Sequence, residues 1–229
     1  MIIGNGLIAK TLVEFKDNPD VVIFASGVSN SQEVNSHAFA REKDLILSQE
    51  RDKKIIYFST CSIFDVTAQQ TIYVKHKIAM ENLLKYNFSK FKIIRLPSVL
   101  GNSNNPHTIF NHILNKINLG EEVTVVRNAW RYLLDVDDLR IIIPLIIKAD
   151  RNSSMNITYG NWMTVLAIVE ILSALLNKGV KINLVNGGIP FHINNSEFKQ
   201  LLLENNCNIY SDEYNVNCLK KYLKNGTGQ

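Results

Sequence analysis

The sequence predicts an α/β fold: a Rossmann-like parallel sheet with helices on both faces. Three observations carry this. Short runs of nearly continuous Val and Ile, such as "DVVIFASG" (20–27), "KKIIYFST" (53–60) and "FKIIRLP" (91–97), alternate with helical stretches. Strands buried on both faces read this way because helices cover each side. A glycine turn, "GNGLIA" (4–9), follows the first apolar run and opens a helix. Small hydroxylated residues then end the 53–60 run, at the carboxyl edge where such sheets bind ligands.

Taken in order, "MIIG" is a short strand and a helix follows over about Leu7–Lys16. The strand at 20–27 leads to a helical pattern over about 37–50, and the strand at 53–60 leads to the amphipathic stretch "QQTIYVKHKIAMENLLKYN" (69–87). Its apolar set Val74, Ile78 and Leu84, with Ala79, Met80 and Leu83, recurs at helical spacing. The strand at 91–97 closes the regular half. Beyond it come helical patterns near 107–118, 136–149 and 164–177, and short strands at "EVTVV" and "VKINLV". The segment 191–202 reads as a strand, a turn and an Asn/Ser-capped helix, and Lys220, Lys221 and Lys224 as a solvated helix face. Residues 1–97 are expected to form a dinucleotide-binding core. Residues 98–229 supply a small substrate lobe and the remaining core strands, as one integrated unit.

Composition narrows the function. Hydrophobic residues make up 46% and charged residues 20%, a globular balance. A net charge of +4, with no dense basic block, suits an anionic small ligand and argues against nucleic acid. Cys61, Cys207 and Cys218 lack metal-ligand spacing and form an odd set, which points to no metal site and a reducing, cytoplasmic setting. The run "IIIPLIIKA" is far short of the ~20 residues a membrane span needs.

Two constellations carry chemistry. In "GNGLIA", Gly4 permits the tight turn, Gly6 lets a pyrophosphate approach the backbone, and Ala9 is small enough for strand–helix packing. The zone where an acidic residue would hold an adenosine ribose offers Ser26, Ser29 and Asn30 instead, so NAD and NADP both stay open. In the second, Thr60 ends a strand, and Tyr73 and Lys77 then open the next helix four residues apart on one face. A carbonyl reductase needs this order. Thr60 polarises the carbonyl, Tyr73 transfers the proton, and Lys77 lowers the tyrosine pKa and can hold the nicotinamide ribose. His76 within this motif reads as a solvent-facing helix residue.

"GNGLIA", "FASGVSN", "FSTCSIFD", "YVKHKIAMENLL", "IIRLPSVLG" and "RYLLDVDDL" follow one another as in the extended short-chain dehydrogenases/reductases. The chain resembles this NAD-dependent epimerase/dehydratase superfamily over about residues 1–175, and "STCSIF" is most similar to dTDP-4-dehydrorhamnose reductases. The resemblance implies a catalytic triad of Thr60, Tyr73 and Lys77. It implies NADP or NAD held by Gly4, Asn5, Gly6, Leu7, Ile8, Ser26, Gly27, Ser59, Tyr73, Lys77 and Pro97. On the substrate side it implies Thr60, Cys61, Ser62, Ser98 and Arg131, the arginine on a nucleotide diphosphate, with Asp135 and Asp138 structural. A homodimer formed through a helix pair is implied as well.

The implied activity is NAD(P)H-dependent reduction of a nucleotide-linked 4-keto-6-deoxy sugar, as in bacterial O-antigen or capsule synthesis. A 4-epimerase with tightly held NAD and a non-catalytic dinucleotide-binding protein are the alternatives. The chain departs from the family pattern in three places. The second and third strands of the usual sheet are missing between the first helix and "DVVIFASG", Ile3 replaces the first glycine of the phosphate motif, and Thr60-Cys61-Ser62 lacks the carboxyl groups of a dehydratase.

Overall fold

The apolar runs fold as parallel strands in the computed structural model, which describes residues 1–226 other than 104, 150 and 160. The first half consists of β1 (Ile2–Ile3), α1 (Leu7–Thr11), β2 (Val21–Phe24), α2 (Ser36–Leu47), β3 (Lys54–Thr60), α3 (Ile72–Asn87) and β4 (Phe91–Leu96). The second half adds β5 (Ser98–Leu100), α4 (Ile109–Leu119), β6 (Val123–Val126), β7 (Trp130–Asp135), α5 (Leu139–Lys148) and β8 (Ser153–Asn156). It ends with β9 (Trp162–Thr164), α6 (Val165–Leu176), β10 (Ile182–Val185), α7 (Ser196–Glu204) and α8 (Tyr214–Gly226).

Five strands form one parallel sheet in the order β1-β2-β3-β4-β8. The fold is Rossmann-like, and the two-residue β1 stands at its edge. Side chains alternate across the strands. Ile23, Ile56 and Ile94 face one layer with Ile142, Ile143 and Val169, from α5 and α6. Val22, Ile55, Tyr57 and Ile93 face the other, with Ile46 of α2 and Met80 and Leu84 of α3. Both faces are therefore covered, as the unbroken apolar runs require.

Several elements differ from the sequence reading. The first helix stops at Thr11 and a 3₁₀ turn takes over at Val13–Phe15. A small sheet of β5, β7 and β9, with β5 parallel and β9 antiparallel to β7, was not foreseen. Residues 191–195 form no strand, because side chains claim the backbone there. Tyr132 OH donates to the Phe191 carbonyl at 3.4 Å, and Asn156 Nδ2 donates to the Asn194 carbonyl at 2.7 Å.

The C-terminal helix is fastened by aromatic hydroxyls to the "DVDD" turn. The Tyr214 hydroxyl accepts from Asp135 N at 2.8 Å and donates to Asp138, and Tyr222 donates to Asp135. Lys221 is not a free solvated lysine, since its Nζ lies 2.6 Å from Asp135 and 2.7 Å from Asp137. The Lys224 side chain lies outside the described residues.

Candidate active site

The carboxyl ends of β1, β2, β3 and β4 meet along one edge of the sheet, and the predicted chemistry gathers there. Thr71 caps α3, its hydroxyl accepting from Val74 N at 3.3 Å, so the helix starts one residue before Tyr73. Val74, Met80 and Leu84 anchor the buried face of α3. That rotation turns Tyr73 and Lys77 inward, toward the end of β3. Tyr73 packs with Val28 and Val74, and the Thr60 hydroxyl is near enough to act on its phenol. Thr60 in turn accepts from Ser62 N and donates to Ser62 Oγ, both at 3.0 Å. Burial pushes the Tyr73 phenol up to about 12; the nearby Thr60 hydroxyl opposes that rise and the charge of Glu42 adds to it.

Lys77 faces a partner that sequence reasoning missed. Its Nζ donates to Glu42 Oε1 at 3.0 Å, to Tyr57 OH at 3.2 Å and to the Phe58 carbonyl at 3.4 Å. Glu42, on α2, is fully buried and also accepts from Val28 N and Tyr57 OH, each at 2.6 Å. His76 Nε2 lies 3.0 Å from Glu42 Oε2 and its ring packs on Phe39, so it is not solvent-facing. Burial alone would raise the Glu42 pKa. Donors from His76, Lys77, Tyr57 and Val28 outweigh burial and hold it at about 2. Burial lowers the Lys77 pKa, against the opposing charge of Glu42. One signal for Glu42 existed in the sequence: it lies four residues from both Ala38 and Ile46, on the apolar stripe of α2.

The remaining predicted residues divide. Gly4, Asn5 and Gly6 form an exposed turn at the end of β1, with Leu7 and Ile8 half-buried behind it. A Cβ on Gly4 would lie 2.4 Å from the Ala25 carbonyl oxygen, whereas one on Gly6 would meet nothing within 4 Å. Ser26 and Gly27 follow β2, and exposed Arg41 of α2 donates to both Ser26 Oγ and the Ser26 carbonyl at 2.9 Å. Ser59 is tied down, donating to Glu81 Oε1 at 2.7 Å, and Arg95 grips the same carboxylate at 2.6 and 2.9 Å. The Cys61 thiol turns into the interior, 3.3 Å from the Arg95 carbonyl, and burial pushes its pKa up. Half-buried Pro97 links β4 to β5, which half-buried Ser98 opens.

Arg131 lies half-buried on β7. Its Nη1 donates to the Trp130 carbonyl at 2.6 Å, and among the described residues it makes no ion pair. Burial lowers its pKa, and an anion beside it would restore the lost solvation. Trp130 itself stacks on Trp162 at 3.5 Å.

Three solved structures with this architecture place the fold. A UDP-glucuronic acid 4-epimerase from Bacillus cereus, in complex with UDP-glucuronic acid and NAD, is 17% identical with a TM-score of 0.68, over 96% of this chain and 79% of that one. The chain shares the Rossmann-like fold of this structure. A dTDP-glucose 4,6-dehydratase from Bacillus anthracis in complex with NAD matches at 16% identity and a TM-score of 0.71, over 97% and 79% of the two chains. A dTDP-4-dehydrorhamnose reductase from the same organism, in complex with NADP, matches at 16% and 0.69, over 96% and 85%. No protein-family model and no curated protein matches the chain. Among the described residues, no helix is long and apolar enough to cross a membrane.

Proposed function

We propose that this protein reduces a nucleotide-linked 4-keto-6-deoxy sugar with NADPH or NADH, in the synthesis of a bacterial surface polysaccharide. The observation that carries the reading is the buried Tyr73 phenol with Thr60 and Lys77 at the carboxyl edge of the sheet, behind an open glycine turn. The turn fits a dinucleotide. Gly4 lets β1 pack against Ala25, and the unobstructed side of Gly6 leaves the backbone free to meet a pyrophosphate. Arg41, at the neighbouring strand end, supplies a positive charge on that side.

When bound, the nicotinamide supplies hydride to the sugar carbonyl. The chain's own residues do the rest. Thr60 donates to the carbonyl oxygen as charge develops, and Tyr73 gives up its O–H proton to that oxygen, forming the sugar hydroxyl. Solvent then returns a proton to Tyr73. Arg131, poorly solvated and without an ion pair among the described residues, binds the nucleotide diphosphate. Cys61 and Ser62 supply no carboxyl group for eliminating water, so a dehydratase does not follow. A second copy would dock on α3, which leaves Ile72, Ile78 and Tyr86 exposed.

NADPH and NADH consumption with dTDP-, UDP-, GDP- and CDP-linked 4-keto sugars tests the proposal. Turnover with one of them, lost in Tyr73→Phe, is expected. Full turnover in Tyr73→Phe overturns the mechanism. Dinucleotide binding without turnover on any sugar replaces it with a sensing role, and interconversion of 4-hydroxy sugars with bound NAD replaces it with an epimerase.

A further inference from the structure

We infer that Glu42 is the positioning residue of this site: it pins Lys77 beneath Gly27 and leaves Tyr73 a neutral proton donor, suited to reduction in one direction. The inference rests on the reductase reading and deepens it. An ammonium has three protons. All three of Lys77's have acceptors inside the protein, at Glu42 Oε1, Tyr57 OH and the Phe58 carbonyl. None is left for the ribose contact that the family resemblance implies.

The carboxylate is equally occupied. Its two oxygens take donors from Val28 N, Tyr57 OH, His76 Nε2 and Lys77 Nζ, filling the sites a carboxylate offers. The end of β2 closes over the pair, since a Cβ on Gly27 would lie 2.7 Å from Lys77 Nζ and 2.9 Å from Glu42 Oε1. Swinging either side chain out would strand a buried charge, so the pair stays together.

Tyr73 therefore stands beside a pair of near-zero net charge. The ionisable groups around the pair are Tyr57 from β3 and Tyr73, His76 and Glu81 from α3. Glu81 is itself neutralised by Arg95. With its charge balanced by Glu42, Lys77 has little power to stabilise a phenolate at Tyr73. A neutral phenol can give a proton to a developing alkoxide. It cannot take one from a sugar hydroxyl near neutral pH, which is the first step an epimerase needs.

The test is carbon-13 NMR on protein labelled at the ζ carbon of tyrosine, without dinucleotide or sugar, with the Tyr73 signal assigned by its loss in Tyr73→Phe. Tyr73 is expected to stay protonated through about pH 10, the ordinary tyrosine midpoint. Glu42→Gln, which leaves the Lys77 charge unbalanced, is expected to raise its ionisation constant ~10-fold or more, one pH unit or above. Ionisation of wild-type Tyr73 below about pH 9 overturns the inference, as does a Glu42→Gln protein with Tyr73 unmoved. Should Glu42→Gln fail to fold, the double variant Glu42→Gln/Lys77→Met removes both charges. Tyr73 is then expected to titrate as in wild type, and a shift of about a unit overturns the inference. Because neither dinucleotide nor sugar takes part, absent turnover would sink the reductase reading and leave this result standing.

Discussion

Glu42 Oε1 and Lys77 Nζ lie 3.0 Å apart, with the carboxylate fully enclosed and the lysine side chain 3% exposed. Removing one partner leaves the other charged in a space built to exclude water. Glu42→Ala or Lys77→Met is thus expected to cost about 3–5 kcal/mol of stability. Replacing both with apolar residues of similar volume, as in Glu42→Leu/Lys77→Met, is expected to cost much less than the sum. Urea denaturation of the four proteins measures this. Additive losses would show that the pair is not coupled.

The same carboxylate sets an acid limit. Its folded pKa of about 2 lies below the ordinary 4.5, so its stabilisation is fully present above pH 4.5 and is lost as pH falls toward 2. The amount at stake is on the order of 3 kcal/mol. Urea midpoints between pH 7 and pH 3 should fall for wild type. In Glu42→Gln the fall should be shallower, from a lower starting value.

Asp138 is expected to act with the opposite sign. Burial, opposed by the Tyr214 hydrogen bond, lifts its pKa from 3.8 to about 6. The folded state therefore favours the protonated acid, and stability drops as pH rises from 3.8 toward 6. Asp138→Asn keeps an acceptor for Tyr214 and removes the charge. It should match or exceed wild-type stability at pH 8, by about 1–2 kcal/mol at this half-buried site. A thermal melt series that shows the variant markedly less stable at pH 8 would contradict this.

The parallel sheet could be read from the chain because strands such as Val21–Phe24 are buried on both faces and leave no polar residue to interrupt them. Tyr73 and Lys77 were equally legible, since helical spacing alone puts them on one face. Glu42 was not. It sits between Arg41 and Lys43 and looks like one more surface charge. Its spacing from Ala38 and Ile46 is the only local hint of burial; the packing of α2 on α3 seals it in, against a partner thirty-five residues away. The fastening of Asp135 by Tyr222, eighty-seven residues away, escaped for the same reason. Ser59 looked available because it ends a strand, yet Glu81 from the next helix takes its hydroxyl.

Two glycines of one turn should separate fold from function. Gly4 has φ +124°, and a Cβ there would lie 2.4 Å from the Ala25 carbonyl oxygen, backbone that cannot step aside without moving β2. Gly4→Ala is expected to lose about 2–4 kcal/mol, through strain and a broken β1–β2 contact. Gly6 is not in the left-handed region, and a Cβ there meets nothing within 4 Å. Gly6→Ala should therefore stay within about 1 kcal/mol of wild type. It should nonetheless weaken dinucleotide binding, because the methyl group would stand where the pyrophosphate must approach the backbone. Calorimetric titration with NADPH, run beside a thermal melt, separates the two effects. A Gly6→Ala protein that binds as tightly as wild type would place the phosphates somewhere other than this turn.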